Sequence, residues 1–200
     1  MPSRKSLIPA GPGRPRSQEA RRAVLDAARY LLEKRGYAAT TIEAIAAKSG
    51  VAKTTIYRGW QNRAALLIEL LVEVVNEAAP PPNRSPSLQA LRTELRLGAI
   101  ALGGISGMLL NSLLGEAQQD PDVRTALLNG LFYPRREASV NAIKQAQALG
   151  ELRSDVPPHV AVDLLFGPLF YRMFVQHEPV TEQFIRQTLR FTLEGLSTTA

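Results

Sequence analysis

The sequence predicts an all-α protein of about nine helices arranged in two domains. Apolar residues recur at spacings of three and four along most of the chain, which is the periodicity of amphipathic helices. Long alternating apolar and polar runs and Asn-Gly or Asp-Gly turns are lacking, so no sheet is expected. The segment APPPNRSP cannot continue a helix. We therefore predict a head, residues 17–79, linked to a body, residues 87–198.

Composition restricts the class of protein. Hydrophobic residues make up 45% and charged residues 21% of the 200 residues, as in globular proteins. Cysteine is absent and histidine occurs twice, so we predict neither a metal nor a cofactor and expect a cytoplasmic location. Paired carboxylates and Ser/His/Asp sets are not recognisable, which argues against an enzyme. No apolar run reaches 18 residues, so no membrane span is expected.

Charge is distributed unevenly along the chain. Residues 1–68 contain 13 Lys and Arg against 4 Asp and Glu, a net charge of +9. Residues 69–200 contain 11 and 14, a net charge of −3. A basic head on a mildly acidic body predicts a nucleic-acid-binding domain joined to a second domain. An anionic membrane surface is the alternative partner, but lipidation signals and a strongly basic amphipathic helix are lacking.

Local signals place the first three helices of the head. The first helix is predicted to follow an N-cap at Ser17 and to end at Gly36. Thr40, with Glu43 three residues later, predicts a capping box that starts the second helix. Gly50 permits the positive φ of a tight turn before a short third helix.

The segment 41–60 is predicted to be a helix-turn-helix that binds double-stranded DNA. Ile45, Val51 and Ile56 would form the apolar contact between its two helices. The third helix would direct a polar and basic set outward: Lys53, Thr54, Tyr57 and Arg58. An αα-hairpin packed into a larger core is the alternative, and the charge of the region favours DNA binding.

Residues 1–16 are rich in Pro, Gly and Arg and are predicted to form a disordered basic arm. Arg14 and Arg16 flank a proline, and an extended Arg-Pro-Arg segment fits a narrow A·T minor groove. A solvated basic tail is the alternative.

Three motifs in register resemble the DNA-binding domain of the TetR family of transcriptional regulators. They are GYAATTIEAIA at 36–46, SGVAKTTIYR at 49–58 and NRAAL at 62–66. The resemblance covers residues 18–78 and implies a three-helix, homeodomain-like helix-turn-helix head. Two positions differ from the family pattern: Ala52 replaces a capping Ser or Thr, and Gly59 replaces a larger residue.

The resemblance also implies roles for individual residues of the head. Lys53 and Thr54 would face base edges, and four others would contact phosphates: Thr41, Thr55, Tyr57 and Arg63. This assignment agrees with the chemistry of Lys toward guanine and of hydroxyls toward phosphate. For Trp60 we favour helix packing over a DNA contact. A fourth helix, about Arg63 to Asn76, is apolar on two sides and would connect head and body.

Five helices are predicted in the body. Apolar spacing marks two helices, around 88–102 and 108–114, and Asp120 with Pro121 predicts the start of a long third helix. This third helix would run to about residue 149 with a kink at Pro134. The fourth would open at 157–158 and bend at 167–168, and Thr181 would cap the last helix.

Dimerisation and ligand binding are implied for the body by the family. The last two helices would pair with a second subunit, and the apolar surface of the helix after 157–158 agrees with this; a central helix within one domain is the alternative. A small hydrophobic or amphipathic ligand would lie among aromatic or soft side chains, which could instead be plain core. These side chains are Met108, Phe132, Tyr133, Phe166, Phe170, Tyr171 and Phe174.

The function expected from these features is that of a dimeric transcriptional repressor. A small molecule would release it from a palindromic operator. The alternative is a DNA-binding regulator without a ligand, whose body serves only dimerisation or partner recruitment.

Overall fold

The computed structural model describes residues 15–79, 88–102 and 104–198. Over these ranges the chain forms helices without a strand, apart from one isolated bridge between Leu152 and Ser197. The helices are α1 Pro15–Ala39, α2 Ile42–Ser49, α3 Lys53–Gly59, α4 Arg63–Ala78, α5 Leu88–Ala101, α6 Ile105–Ala117, α7 in the consecutive segments Pro121–Leu127, Leu128–Phe132 and Tyr133–Ala148, α8 Pro158–Val175 and α9 Glu182–Leu196. The predicted all-α fold of about nine helices is confirmed.

α1 begins earlier than predicted and contains the predicted stop. Its first residue is Pro15, so Ser17 lies inside the helix and the predicted N-cap is wrong. Proline suits the first helical turn because the missing N–H has no intrahelical partner there. Gly36 has φ 77° and interrupts the helical backbone before a last short turn that reaches Ala39. The predicted interruption at this glycine is confirmed, with a positive φ but an extended ψ of 179° in place of the αL conformation.

The cap of α2 lies one residue beyond the predicted position. Thr41 is the N-cap, and its Oγ1 accepts a hydrogen bond of 3.1 Å from Ala44 N. Thr40 is fully buried, and its hydroxyl donates to the carbonyl oxygen of Gly36 over 2.8 Å. The predicted capping box with Glu43 is wrong, because Thr40 is used to close the α1–α2 connection.

The turn and α3 follow the prediction. Gly50 has φ 70° and ends α2. Ala52 is the N-cap of α3 and offers no side-chain hydrogen bond, as its methyl group predicts. Ile45 and Ile56 are both fully buried, so the contact between α2 and α3 is apolar.

The hydrophobic core does not divide at the 79–86 segment. One cluster contains buried residues of α1 to α4 together with Leu109, Leu113 and Val123 of α6 and α7. The second cluster joins α5, α8 and α9 to the C-terminal part of α7 through Ile143. α4 is buried on several sides, as predicted, and it packs against both the head and the neighbouring part of the body.

α7 changes its hydrogen-bond pattern in the middle. Asp120 caps the helix, with its side chain accepting from two backbone N–H groups, and Pro121 follows at the first position, as predicted. Leu128–Phe132 forms a π-helical turn in which Tyr133 N donates to Leu128 O. The turn lies directly before Pro134, which has no N–H with which to continue an α-helical pattern. Gly150, with φ 74°, follows the end of the helix.

The last two helices also begin where predicted. α8 starts at Pro158 and continues past Pro168 to Val175. Thr181 caps α9, with its Oγ1 accepting from Phe184 N over 3.2 Å. No single helix of the described residues is long and apolar enough to cross a bilayer. The pair Leu95–Ala101 and Ile105–Ala117 meets that test jointly by length and composition only, across a bend of 76°.

Candidate nucleic-acid interface and interior cavity

α3 has one buried side and a polar surface. Ile56 is fully buried, whereas the ring of Tyr57 is 51% exposed. The remaining members of the predicted DNA-facing set on this helix are exposed as well: Lys53, Thr54, Thr55 and Arg58. Five side chains that can donate to phosphates or base edges therefore share the solvent side of one short helix.

An ion pair links this surface to α2. Lys53 Nζ lies 2.7 Å from Glu43 Oε1, and both side chains are at least half exposed. The hydrogen bond from Lys53 is the main cause that holds the pKa of Glu43 below its ordinary value. Sequence reasoning assigned Glu43 to a capping box and missed this contact. Exposed ion pairs contribute little, so a DNA acceptor can replace Glu43 as the partner of Lys53.

The remaining predicted DNA contacts lie at the start of the helices. Thr41 is half-buried and caps α2. Arg16 lies in the first turn of α1, so the backbone at Pro15 and Arg16 is helical rather than extended. Arg14 and the rest of the predicted arm lie outside the described residues.

Arg63 is placed elsewhere than predicted. Its side chain is 28% exposed, and Nη2 lies 3.2 Å from Glu116 Oε2 at the end of α6. The guanidinium also covers the ring of Tyr37 at 4.3 Å and donates to the carbonyl oxygen of that residue. In this arrangement the charge of Arg63 is directed at the body, and its phosphate contact stays a prediction.

Trp60 belongs to the core of the head, as the packing interpretation predicted. The side chain is 6% exposed, and its Nε1 donates to Glu69 Oε2 over 2.9 Å. The guanidinium of Arg21 lies 4.9 Å from the ring centroid. The indole therefore connects α3 to α4 rather than facing DNA.

A cavity of about 360 Å³ lies between α4 and the body helices. Its wall is mostly apolar, and glycines at 98 and 167 widen it, since a Cβ at either position would meet no atom within 4 Å. The apolar lining consists of Val75, Leu95, Leu102, Leu110, Leu131, Phe132, Val162, Phe166 and Phe170. This lining and size are typical of sites for small organic ligands.

Three of the seven predicted ligand residues line the cavity: Phe132, Phe166 and Phe170. The rings of Phe132 and Phe170 lie 5.7 Å apart. The other four do not line it and are exposed: Met108, Tyr133, Tyr171 and Phe174. Successive helical residues point about 100° apart. Tyr133 and Tyr171 directly follow the lining residues Phe132 and Phe170, and their side chains are exposed to solvent.

Polar residues occupy one side of the cavity, and sequence reasoning missed them. Arg136 donates to both carboxylate oxygens of Asp163, with Nη2–Oδ2 at 3.1 Å, and this hydrogen bonding lowers the pKa of Asp163. Arg135 donates over 3.0 Å to Asn76 Oδ1 and over 3.0 Å to Ala79 O, at the end of α4. The available signal was the Arg-Arg pair that follows the apolar residues Leu131, Phe132 and Tyr133.

Two family models match the chain. The model described as bacterial regulatory proteins, tetR family, matches residues 24–70. The model described as tetracyclin repressor-like, C-terminal domain, matches residues 81–191. The uncharacterized HTH-type transcriptional regulator YdeS of Bacillus subtilis is 30% identical over 188 residues, which is 94% of this chain and 95% of YdeS.

Solved structures agree with these matches. The TetR family transcription regulator SCO0332 is 31% identical, with a TM-score of 0.72 over 89% of this chain and 98% of that chain. SmeT, the repressor of the Stenotrophomonas maltophilia multidrug efflux pump SmeDEF, shares the fold at 21% identity and a TM-score of 0.66, over 92% and 93% of the two chains. Three observations agree: the helix-turn-helix has a polar α3 surface, two family models match, and a relative of similar length is 30% identical. The chain is therefore a DNA-binding transcriptional regulator of the TetR family, not an enzyme.

Proposed function

We propose that the protein is a dimeric repressor that binds a palindromic operator and leaves it when a small ligand enters the cavity. One observation carries the ligand response: the cavity wall includes α4, the helix that continues directly from the helix-turn-helix. Val75 lines the cavity, and Arg135 in the same wall donates to Asn76 and Ala79 at the end of α4. A ligand that displaces Val75 or Arg135 therefore changes the position of α4 against the body.

DNA recognition is assigned to α3 and the adjacent cap. Lys53 and Thr54 read base edges, where Lys donates to guanine O6 or N7 and the Thr methyl meets a thymine methyl. Phosphate contacts come from the remaining set: Thr41, Thr55, Tyr57 and Arg58. Arg14 and Arg16 reach the adjacent minor groove from the start of α1, so the contact does not require the extended Arg-Pro-Arg segment. Exposure of the α3 side chains and the net charge of +9 over residues 1–68 support this assignment.

A second copy of the chain is assigned to the outer face of α8 and α9. Val160, Leu164, Tyr171 and Val175 are exposed large side chains at spacings of four and seven on α8, and Phe191 is exposed on α9. Such a continuous apolar stripe is typical of a protein interface. Twofold pairing presents two α3 helices to half-sites about 34–36 Å apart, so the operator is an inverted repeat.

The ligand is small and largely apolar. The lining is aromatic and aliphatic, and the acid Asp163 in the wall is already paired with Arg136. A ligand therefore gains most from burial of its apolar surface. It releases DNA if it binds the DNA-incompetent arrangement of the dimer more tightly than the competent one.

The test begins with selection of bound duplexes from a random-sequence pool by the full chain, which we expect to return an inverted repeat. A thermal-shift screen of neutral apolar and amphipathic compounds then identifies a ligand. Calorimetric titration of this compound with and without the selected duplex measures the coupling. We expect the duplex to weaken the compound by about 5- to 150-fold. Equal affinities would leave a regulator without ligand control, and selection of no sequence would refute operator recognition.

A further inference from the structure

A polar cluster connects the body to both ends of the helix-turn-helix. Its members are Tyr37, before α2, Arg63, at the start of α4, and Glu116, near the end of α6. The Tyr37 hydroxyl and Arg63 Nη2 both donate to Glu116 Oε2, the latter over 3.2 Å. One carboxylate oxygen of the body therefore binds the residues that precede and follow the entire segment 41–60.

The cluster is also fixed from the side of the head. Arg63 donates to the carbonyl oxygen of Tyr37 over 3.4 Å and covers its ring. The same carbonyl accepts from Thr40 N over 3.1 Å, and the buried Thr40 hydroxyl holds the carbonyl of Gly36. Arg63, which donates to Glu116, is thus also hydrogen-bonded to the connection between α1 and α2 through the carbonyl of Tyr37.

The hydrogen bonds of Glu116 are made at partly buried positions. Tyr37 is half-buried, and burial, followed by the hydrogen bond to Glu116, raises the pKa of its hydroxyl. The hydroxyl therefore remains a donor over the physiological range. Arg63 and Glu116 each expose about a third or less of the side chain, at 28% and 34%. Hydrogen bonds to charged groups at such partly buried positions are stronger than exposed ion pairs.

We propose that Glu116 is a positioning residue for DNA recognition, through which α6 sets the orientation of the helix-turn-helix. It touches no DNA itself. It acts by holding Tyr37 and Arg63, so that the α3 surface of each subunit keeps one orientation relative to the body and to the second subunit. A dimer must contact two half-sites at once, so a change in this orientation lowers the affinity for the operator.

The experiment measures binding of full-length variants to the selected duplex by fluorescence anisotropy, without any ligand. We expect Glu116→Ala to weaken binding by about tenfold, a typical size for coupling between separate sites. Glu116→Gln keeps an acceptor for Tyr37 but loses the charge opposite Arg63, so we expect it to lie between Glu116→Ala and the unmodified chain. Glu137→Ala, on the exposed side of α7, removes the same charge from the body and should leave affinity unchanged.

Trp60, the one tryptophan of the chain, separates positioning from loss of structure. Its indole is buried in the head, so an unchanged emission spectrum reports an intact head. We expect that spectrum in Glu116→Ala together with the weakened binding. Should Glu116→Ala alter the spectrum, Tyr37→Phe decides, since it removes only one hydroxyl and keeps the ring under Arg63. We expect weaker binding by this variant with an unchanged spectrum.

Two results would overturn the role of Glu116. The first is operator affinity in Glu116→Ala equal to that of Glu137→Ala. The second, if the spectrum changes, is full affinity in Tyr37→Phe. Failure of the unmodified chain to bind any duplex is a different result, which would refute operator recognition itself.

Discussion

The head and the α8–α9 face differ in how many large hydrophobic side chains they expose. In the described part of the head, the large hydrophobic side chains that remain exposed are Tyr30 and Tyr57, and both carry a hydroxyl. The ring of Tyr30 is in addition covered by Lys48 Nζ at 4.0 Å. On α8 and α9, by contrast, six large hydrophobic side chains are exposed: Val160, Leu164, Tyr171, Phe174, Val175 and Phe191.

Ion pairs also join the two long helices of the head. α1 and α4 are joined by three ion pairs, Arg21–Glu69, Arg22–Glu73 and Arg29–Glu77, in which the acids recur every four residues along α4. The head is therefore complete as a single copy, with a buried core and a paired polar surface. The α8–α9 face leaves a stripe of apolar side chains exposed, which is the surface assigned to a second chain in the proposed dimer. Stability of the head and assembly of the body should accordingly respond to different substitutions.

The largest effect is expected from a charge on the α8–α9 face. Leu164 is 49% exposed at the centre of the stripe. Leu164→Glu would bury an unpaired carboxylate in a dimer, so we expect monomers in light scattering and loss of most operator affinity. Leu149→Glu, at the end of α7, is the matched control and should remain dimeric. A dimer formed by Leu164→Glu would place the interface elsewhere.

A smaller effect is expected on the DNA-facing side of the head. Lys53→Ala removes a donor to base edges and should cost about 1–3 kcal/mol on the selected duplex. It should also reduce the preference for that duplex over a random one. Lys144→Ala, exposed on α7, removes the same charge from the body and should change neither quantity. Unchanged affinity and preference in Lys53→Ala would remove α3 from base recognition.

A gain in stability is expected where glycine lies in a helix beside the cavity. Gly98→Ala places a methyl group in open space within α5 and should raise the free energy of unfolding by about 0.5–1 kcal/mol. The same methyl narrows the cavity, so the thermal shift produced by the screened compound should shrink. Gly115→Ala in α6 also meets no atom within 4 Å, and it should give the gain without affecting the compound. Equal thermal shifts in the two variants would move the ligand out of the cavity.

The smallest effect is expected from the ion pairs between α1 and α4. Glu73→Gln breaks the pair with Arg22, whose N–O distance is 2.6 Å. Exposed pairs contribute little, and salt screens them. Chemical denaturation should show a small loss of stability at low salt and almost none at 1 M salt. A loss of stability that persists in high salt would show that Glu73 contributes through something other than a screened ion pair with the exposed Arg22.

Features that depend on neighbours in sequence were predictable. Gly36 and Gly50 adopt positive φ, Asp120 and Thr181 cap helices, and each signal acts within four residues. The capping error at Thr40 has the same origin. Two adjacent threonines offer the same local signal, and only the burial of Thr40 beneath the α1–α2 connection decides which one caps α2.

Contacts across the chain were not predictable from spacing. Arg63 and Glu116 are 53 residues apart, and no periodicity indicates that α6 ends beside the start of α4. The cavity has the same difficulty, because an aromatic residue on an apolar helix can face inward or outward by a rotation of one position. Phe132 and Tyr133 show this directly, since one lines the cavity and the other is exposed.

The π turn at Leu128–Phe132 has a consequence for the angular register of α7. A π turn holds one residue more than an α turn, so it offsets the side chains on its two flanks by about 100°. Upstream, Leu127 points into the first core cluster; downstream, Arg135 and Arg136 point to the cavity. Shortening the segment by one residue would rotate both arginines past the cavity wall and leave Pro134 clashing in an ordinary α turn. Pro134 thus favours the π turn that keeps Arg135 and Arg136 at the cavity wall, and the loss of one residue here would change which side chains line the cavity.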